Sequence, residues 1–570
     1  MIKNPIKILA FSIVDHDSNA CFWDGERFRY MKSERIEGEK HHVCDIGYIK
    51  KWAESHNFKP NLVVFTDGHR NVHLSKGQRQ GQYDLYKEVM PVEKDEFWDV
   101  KTICVDHSYA HILSAWPIID SENVDIGIAC DGNSDYNKSI AIIKNPSKVK
   151  EASFHKTWGN GRSIGKWFKR VGRHMGMKCH QNDYAGKIMG LQSYGNVDDD
   201  FIKSVYPSML QYLHEKKDKS ECVDPESFNY AHPDICRDKD HIKIEDLWTR
   251  LLDIEFRGIT PSKLPKKRHT WINHRYGHNT TISEFFTPEN QHFKDWIATT
   301  HKLMEMWVAD LFDEYVGKND TVVYSGGVAQ NVLFNEVLYS NYKNLIIPPH
   351  SYDGGLSIGC IELGRLLNNL PKIEVNDMTF PYWQDDIETE IPNNDTLNRV
   401  AELLSEGKIV GWFQGRGEVG PRALGNRSIL MHPGLPNGKD ILNRRVKHRE
   451  YWRPFAPSLL EEHLTEWFDA DIGNKFMLRA VKAKKNKYKQ IQSVVHNDGT
   501  ARIQTVSKND NPLYYSLIKR FYEKTNIPIL LNTSLNDGGL PIFSYREQCL
   551  DFFHNADIDA LCMGNKLIKK

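Results

Sequence analysis

The chain has 570 residues, too many for one core, and its 40% apolar and 11% aromatic content is ample for two or more globular domains. Lys plus Arg and Asp plus Glu stand at 75 each, so no global field draws the chain to nucleic acid or to a membrane surface. Ten scattered cysteines include no C-x-x-C pair, which argues against a zinc ribbon or disulfide scaffold. With no signal-peptide cleavage pattern and no apolar run of bilayer length, a reduced, soluble, cytoplasmic protein is expected.

Residues 7–14 (KILAFSIV) read as a buried strand, and the polar turn DHDSNA follows with His16 and Ser18. CFWDGERFRYMKSER then gives two alternating strands joined at Asp24-Gly25, a hairpin signal. A strand, a polar turn and a returning hairpin resemble the first phosphate loop of the actin, sugar-kinase and heat-shock-ATPase fold. Residues 61–66 (NLVVFT) and 101–105 (KTICV) are further short strands. The second leads into DHSYAHILSAW, apolar at helical spacing. There His107 and His111, at i and i+4, share one face within reach of a single metal ion. One such pair is expected by chance among 25 histidines, and His274 and His278 form another. Only the first follows a strand and opens a helix. Residues 125–131 (DIGIACD) deliver Asp131 from a strand end to a turn, as a turn residue or as a ligand.

Residues 162–180 carry Arg162, Lys166, Lys169, Arg170, Arg173 and Lys178 and no acid. They read as a solvated basic face or as a mouth for an anionic substrate. AGKIMGLQSYG (185–195) is Gly-punctuated and holds one cation, Lys187. Residues 208–285 are polar and irregular, an elaboration suited to shaping an acceptor site. WIATTHKLMEMWVADLFDEYVG is a long amphipathic helix. DTVVYSGGVAQNVLFNEVLYS is strand, Gly-Gly turn and helix, and N–H groups at such a helix start bind phosphate. Asp353 has glycines behind it that leave space for a ligand, which makes it a third metal-ligand candidate. Residues 366–394 read as a connection between domains, and no internal repeat is visible.

The second domain begins near Asp395. Its segment GRGEVGPRALGNRSIL (415–430) sets Arg416, Arg422 and Arg427 among Gly415, Gly417, Gly420, Pro421 and Gly425. A guanidinium fork matches two oxygens of a phosphate or carboxylate, and glycines let backbone N–H groups approach the same anion. Alone this is also what a basic surface loop looks like. NRRVKHREYWRPFAPS (443–458) adds a second concentration of cations. NIPILLNTSLN (526–536) is a strand ending in Thr533, Ser534 and Asn536. Two cationic loops and such a strand suit an oxyanion or nucleotide pocket.

Taken together, HDSNA, HSYAH, GKIMGLQSYG, SGGVAQN, DGG, GPRALGNRSIL, RPFAPS, HNDGTARIQTV and NTSLN resemble the family of ATP-dependent O-carbamoyltransferases, which includes enzymes decorating nodulation factors, cephamycin, novobiocin and tobramycin. The resemblance runs in order along nearly the whole chain and is weakest over 208–285 and the connector. It implies an α/β protein with an N-terminal actin/sugar-kinase/heat-shock-ATPase-like domain over 1–365, similar to the tRNA threonylcarbamoyl transferase. A connector over 366–394 and a YrdC-like domain over 395–570, similar to threonylcarbamoyl-AMP synthase, follow.

Residue by residue, the resemblance places His107, His111, Asp131 and Asp353 at the metal. Ser325, Gly326, Gly327 and Asn331 match the nucleotide loop, with Ser18 and Lys187 also at the nucleotide. His16 falls on the histidine at the acceptor end and is the candidate base. In the second domain Lys447 and Arg449 fit a Lys-x-Arg motif, and Ser534 and Asn536 a Ser-x-Asn motif. Arg416 joins Lys447 and Arg449 as catalytic, while Arg422, Arg427 and Arg502 hold the anions. Leu540 departs from the Glu usual in the family. The implied reaction makes carbamoyl-adenylate from carbamoyl phosphate and ATP, with Mg2+, and passes the carbamoyl group to a hydroxyl acceptor at a divalent metal. Iron(II) is expected there, with zinc or manganese as alternatives. Lys263, Lys266, Lys267 and Arg268 join the basic residues of 162–180 in suggesting an anionic acceptor, such as a hydroxymethyl-pyrimidine nucleotide or a sugar phosphate. Expected partners are small molecules rather than membrane or duplex nucleic acid, with the chain a monomer or homodimer. The competing readings are an actin-like small-molecule kinase or ATPase and a tRNA-directed threonylcarbamoyl-type transferase.

Overall fold

Ile8–Ser12 (β1) is buried at every position, the pattern of a strand covered on both faces. In this computed structural model the described residues are 6–13, 16–66, 84–90, 98–119, 123–132, 138–159, 163–214, 287–375, 378–384 and 389–570. Arg162, Lys263, Lys266, Lys267, Arg268, His274 and His278 lie outside them, as do the side chains of Arg170 and Arg173.

The hairpin expected at Asp24-Gly25 joins β2 (Asn19–Trp23) to β3 (Phe28–Lys32). The Asp24 carboxylate accepts from the N–H groups of Glu26 and Arg27 at 3.1 and 2.7 Å, which closes the turn. With β4 (Leu62–Thr66), β5 (Tyr86–Glu88) and β6 (Lys101–Val105), these strands form a sheet in the order β3-β2-β1-β4-β6-β5. A second sheet contains β7 (Ile126–Cys130), β8 (Lys138–Lys144), β9 (Ser153–Gly159), β10 (Val322–Ser325) and β11 (Leu345–Ile346), ordered β9-β8-β7-β10-β11. Each sheet has an antiparallel three-strand meander whose first strand is continued by two parallel strands, and β5 adds an antiparallel edge to the first sheet. The chain therefore does carry a repeat, one of topology that its residues do not display. It is the duplicated plan of the actin, sugar-kinase and heat-shock-ATPase fold.

The helices His107–Leu113 and Leu356–Leu367 pack on each other between the two sheets. Their approach is so close that a Cβ on Gly359 would fall 1.9 Å from the Ala110 carbonyl oxygen. Helix starts and strand ends from both sheets consequently meet in one place. The second sheet's crossover runs from residue 160 to 321, where the first sheet's runs only from 33 to 61. It contains the helices Ile164–His174, Tyr184–Leu191, Asp199–His214 and Gln291–Tyr315, and the polar elaboration falls inside it.

From Asn394 a helix to Ser405 leads into a third sheet. Its strands are β12 (Val410–Phe413), β13 (Arg427–Met431), β14 (Ala456–Leu460), β15 (Arg479–Lys482), β16 (Thr500–Val506), β17 (Ile529–Ser534), β18 (Ala560–Met563) and β19 (Lys566–Lys569). Their order is β15-β16-β14-β17-β13-β12-β18-β19. The connector is less loose than its missing periodicity suggests, because Ile373, Met378 and Trp383 are buried in the core of the first sheet. A further core mixes residues of the second sheet with Leu424, Trp452, Ala456 and Met477 of the C-terminal part. Arg479 adds two hydrogen bonds of 2.8 Å to the Glu336 carboxylate across the same boundary.

Candidate functional site

β6 ends at Val105, and the Asp106 carboxylate that follows accepts from the Tyr109 N–H at 3.2 Å and so starts the helix bearing His107 and His111. Asp131 follows β7, and Asp353 stands just ahead of the helix Leu356–Leu367. His107 Nε2 lies 3.1 Å from Asp131 Oδ2 and 3.4 Å from Asp353 Oδ1. His111 Nε2 lies 3.6 and 3.3 Å from the same two oxygens, and the two Nε2 atoms are 3.2 Å apart. One ion bonded at about 2.0–2.2 Å requires neighbouring ligand atoms roughly 2.8–3.6 Å apart, so the four residues fit a metal. Mixed imidazole and carboxylate donors suit zinc, iron or manganese better than calcium. Burial lowers the pKa of both imidazoles, yet the two carboxylates override it and raise them. Burial raises Asp131 and Asp353, and the imidazoles pull both back below the usual carboxylate range. Two buried carboxylates facing each other in this way call for a cation.

The Gly-Gly turn after β10 supports this cluster. Gly326 has φ +90°, and a Cβ there would sit 2.3 Å from the Cys130 carbonyl oxygen. The Gly327 N–H donates to Asp131 Oδ1 at 3.3 Å. On the other side, the β1–β2 turn brings His16 Nε2 to 3.5 Å from Asp353 Oδ2. His16 Nδ1 is 2.8 Å from the buried Asp17 carboxylate, which also pairs with Lys32 at 2.8 Å and His41 at 3.2 Å. His16, Asp17 and His41 are close enough to hold an ion of their own, but the Lys32 ammonium already supplies that charge.

The C-terminal part builds the opposite kind of site. Burial, followed by repulsion from Arg422, Arg449 and Arg453, pushes the Arg502 guanidinium well below its ordinary pKa. Burial and then Arg453 lower Arg422 to about 10 and Arg449 well below its usual value. Four guanidiniums are thus crowded together. Glu450, 3.8 Å from Arg453, is itself engaged by Lys187 at 2.6 Å, so the cluster keeps surplus positive charge. Half-buried surplus charge of this sign suits a polyanion. Lys447 donates to the carbonyl oxygens of Ser534 and Asn536 at 2.9 and 2.6 Å, and the Ser534 hydroxyl donates to Asn536 Oδ1 at 2.6 Å. Burial and then Arg449 depress the Lys447 pKa, and its hydrogen bonds brace the turn after β17 at the cavity wall. Leu540 contributes its backbone oxygen to Asn536 Nδ2 at 2.6 Å.

One cavity of about 670 Å3 reaches from Asp131 and Asp353 to Arg449, Arg502 and Asn536. Lys169, Lys178 and Lys187 stand in its wall.

Several residues assigned to the site from the sequence are engaged in other contacts. Arg427 is wholly buried off the cavity wall; its guanidinium donates to the carbonyls of Gln414, Gly415 and Asn426 at 2.6, 2.9 and 3.1 Å and lies over the Phe413 ring. These contacts shape the loop. Arg416 is also off the wall, with its carbonyl taken by Asn426 Nδ2 as the loop folds on itself. Ser18 is buried, its hydroxyl accepting from the Cys44 N–H, so it braces the first turn. Asn331 reaches the wall, but its side-chain oxygen caps the helix Val332–Asn341 and its amide donates to His301 at 2.9 Å. Arg453, inside the motif RPFAPS, went unassigned. Its signal is the density of cations on both sides of it.

The family model described as Carbamoyltransferase N-terminus matches residues 32–361, and the one described as Carbamoyltransferase C-terminus matches 401–570. The nodulation protein NolO of Bradyrhizobium diazoefficiens is 38% identical over 43% of this chain and 48% of its own length. The nodulation protein NolNO of Sinorhizobium fredii is 35% identical over 82% of this chain and 64% of its own. The chain thus spans from about half to under two thirds of these two relatives. Among solved structures, the activator of 2-hydroxyisocaproyl-CoA dehydratase from Clostridium difficile matches 65% of this chain and 100% of its own at 11% identity, with a TM-score of only 0.31. Among the described residues no helix is long and apolar enough to cross a membrane.

Proposed function

The chain belongs to the carbamoyltransferase family, and from that premise we propose that it is an ATP-dependent O-carbamoyltransferase acting on a small hydroxyl acceptor. In this reading residues 395–570 make carbamoyl-adenylate and residues 1–365 transfer its carbamoyl group. The observation that carries it is the single cavity with a cation-rich end and a His–Asp end.

Carbamoyl phosphate, ATP and one water give carbamoyl-adenylate, pyrophosphate and phosphate. Arg422, Arg449, Arg453 and Arg502 hold both polyanions side by side and neutralise charge that grows on the phosphates. Lys447 keeps the turn with Ser534 and Asn536 in place against them. At the other end the acceptor hydroxyl attacks the carbamoyl carbon, AMP leaves, and the ester forms. His16 takes the hydroxyl proton, while Asp17 fixes the ring through its 2.8 Å contact to Nδ1. His107, His111, Asp131 and Asp353 would hold the divalent ion, with iron(II) our choice, which supplies Lewis-acid polarisation of the mixed anhydride. Lys169 and Lys178, on the wall, favour an anionic acceptor such as a hydroxymethyl-pyrimidine nucleotide or a sugar phosphate. A simple kinase has no use for the second cationic cluster.

Mass spectrometry of candidate acceptors incubated with carbamoyl phosphate, ATP and a divalent metal tests the proposal. The expected product gains one carbamoyl group per acceptor, with AMP and pyrophosphate formed. AMP formation that ignores carbamoyl phosphate would sink it.

A further inference from the structure

Lys32, Glu34 and Arg35 are three charged residues left over from this chemistry, and they are 2, 7 and 2% exposed. Burying charge is costly unless each group is paired and hydrogen-bonded, and these partners point in two directions. Lys32 Nζ sits 2.8 Å from Asp17 Oδ1, 2.7 Å from Glu34 Oε1 and 2.8 Å from the Tyr352 hydroxyl. Asp17 orients His16, and Tyr352 immediately precedes Asp353. Lys32 therefore grips both segments that build the transfer end.

Arg35 reaches the other way. One of its terminal nitrogens donates to the Gly420 carbonyl at 3.0 Å, and the other donates to the Ile542 carbonyl at 3.3 Å. Gly420 lies two residues before Arg422, and Ile542 ends the loop that starts at Ser534 and Asn536. Glu34 joins the halves: Oε1 meets Lys32 and lies 3.8 Å from Arg35 Nε, while Oε2 accepts from the His41 N–H at 3.0 Å. All three side chains line the same cavity. An apolar filler could serve stability as well as a buried ionic cluster, but it could not bond two carbonyls of separate loops while gripping a carboxylate.

We propose that Lys32, Glu34 and Arg35 form a positioning clamp that keeps the two ends of the cavity in register, so that carbamoyl-adenylate crosses to the acceptor instead of escaping to water. The clamp rests on the proposed function for its purpose, though not for its geometry. Loosening it opens the route by which water takes the adenylate to carbamate and AMP.

The test pairs Arg35→Lys, which keeps the charge without the fork, with Arg35→Met, which removes both donors. The first reading is carbamoyl ester formed per pyrophosphate released. Both variants should release pyrophosphate within about twofold of the parent rate, while the ester yield per pyrophosphate falls about threefold or more. AMP without ester accounts for the difference. The second reading is amide hydrogen exchange, which should quicken over 417–424 and 538–543 with metal content unchanged. An unchanged ratio, or ester and pyrophosphate falling in parallel, overturns the clamp. If Arg35→Met does not fold, Arg35→Lys decides by the same ratio. A parent that releases no pyrophosphate in response to carbamoyl phosphate defeats the proposed function instead, and the exchange reading still decides the clamp.

Discussion

The two ends of the cavity favour charges of opposite sign. At the His–Asp end two carboxylates share a buried space with two imidazoles and favour every positive charge available. At the arginine end four guanidiniums repel one another and are incompletely answered by Glu450. One end suits a cation and the other suits polyanions. A protein that merely needed stability would have paired these charges with each other. In the proposed reaction this separation lets the arginine end hold an anionic intermediate directly, while the His–Asp end would hold it through a cation.

The strongest way to break this comparison is to empty the first end. His107→Ala combined with His111→Ala should lower metal affinity by at least about 100-fold, read as metal content after dialysis. Carbamoyl-phosphate-dependent pyrophosphate release should persist. Metal retained by the double variant means that the ion sits elsewhere. Next in size, Arg449→Ala should cut that pyrophosphate release by about 10²–10³-fold at unchanged metal content, the scale of losing one preorganised donor. Normal release would remove Arg449 from the chemistry.

Lys169→Ala sharpens the comparison by asking whether the transfer end also receives an anion. Loss of one charged hydrogen bond, about 1.5–3 kcal/mol, should raise the KM of a phosphorylated acceptor roughly 10–100-fold and leave adenylate formation alone. Equal turnover of phosphorylated and unphosphorylated acceptors, unaffected by the substitution, leaves a solvated basic face.

The smallest effect concerns histidines buried without a carboxylate beside them. Burial pushes His301 and His350 down to about 4, whereas His107 and His111 go up. A neutral buried His301 contributes its full stability above the unfolded value of about 6.5. That contribution is lost as pH falls from there towards 4, by up to about 3 kcal/mol for each such group. Thermal melting should therefore weaken across that interval, and His301→Gln should flatten the profile. A melting profile of unchanged slope in the variant would mean that His301 does not titrate as its burial implies.

Much of this was legible because chemistry gathers at strand ends. His107 and His111 announced themselves by following a strand and opening a helix, Asp131 by ending a strand, and Asp353 by the glycines behind it. Their meeting depends on which sheet each strand joins, and buried runs such as ILAFS and IGIAC do not say so. For the same reason the duplicated topology left no trace in the residues. Arg422 and Arg427 show a different limit. Five positions apart in one Gly-rich loop, they look equivalent, yet one faces the cavity and the other faces its own loop's carbonyls. Spacing fixes neither direction. Lys32, Glu34 and Arg35 read as an ordinary strand terminus until Gly420 and Ile542 arrive from the far end of the chain.

The long second crossover has an evolutionary consequence. The helices Asp199–His214 and Gln291–Tyr315 bury Phe201, Ile202, Phe293 and Trp296 in the same core, so the chain is docked both before and after residues 215–286. The entropy of closing a chain between two docked points grows slowly with its length, by about 0.6 kcal/mol per doubling for a flexible chain. A lineage can lengthen, trim or rewrite that stretch while both sheets and both charged ends stay as they are. New customers could then be tried at little risk to the inherited chemistry, and kinship in the motifs would say little about what any one member modifies.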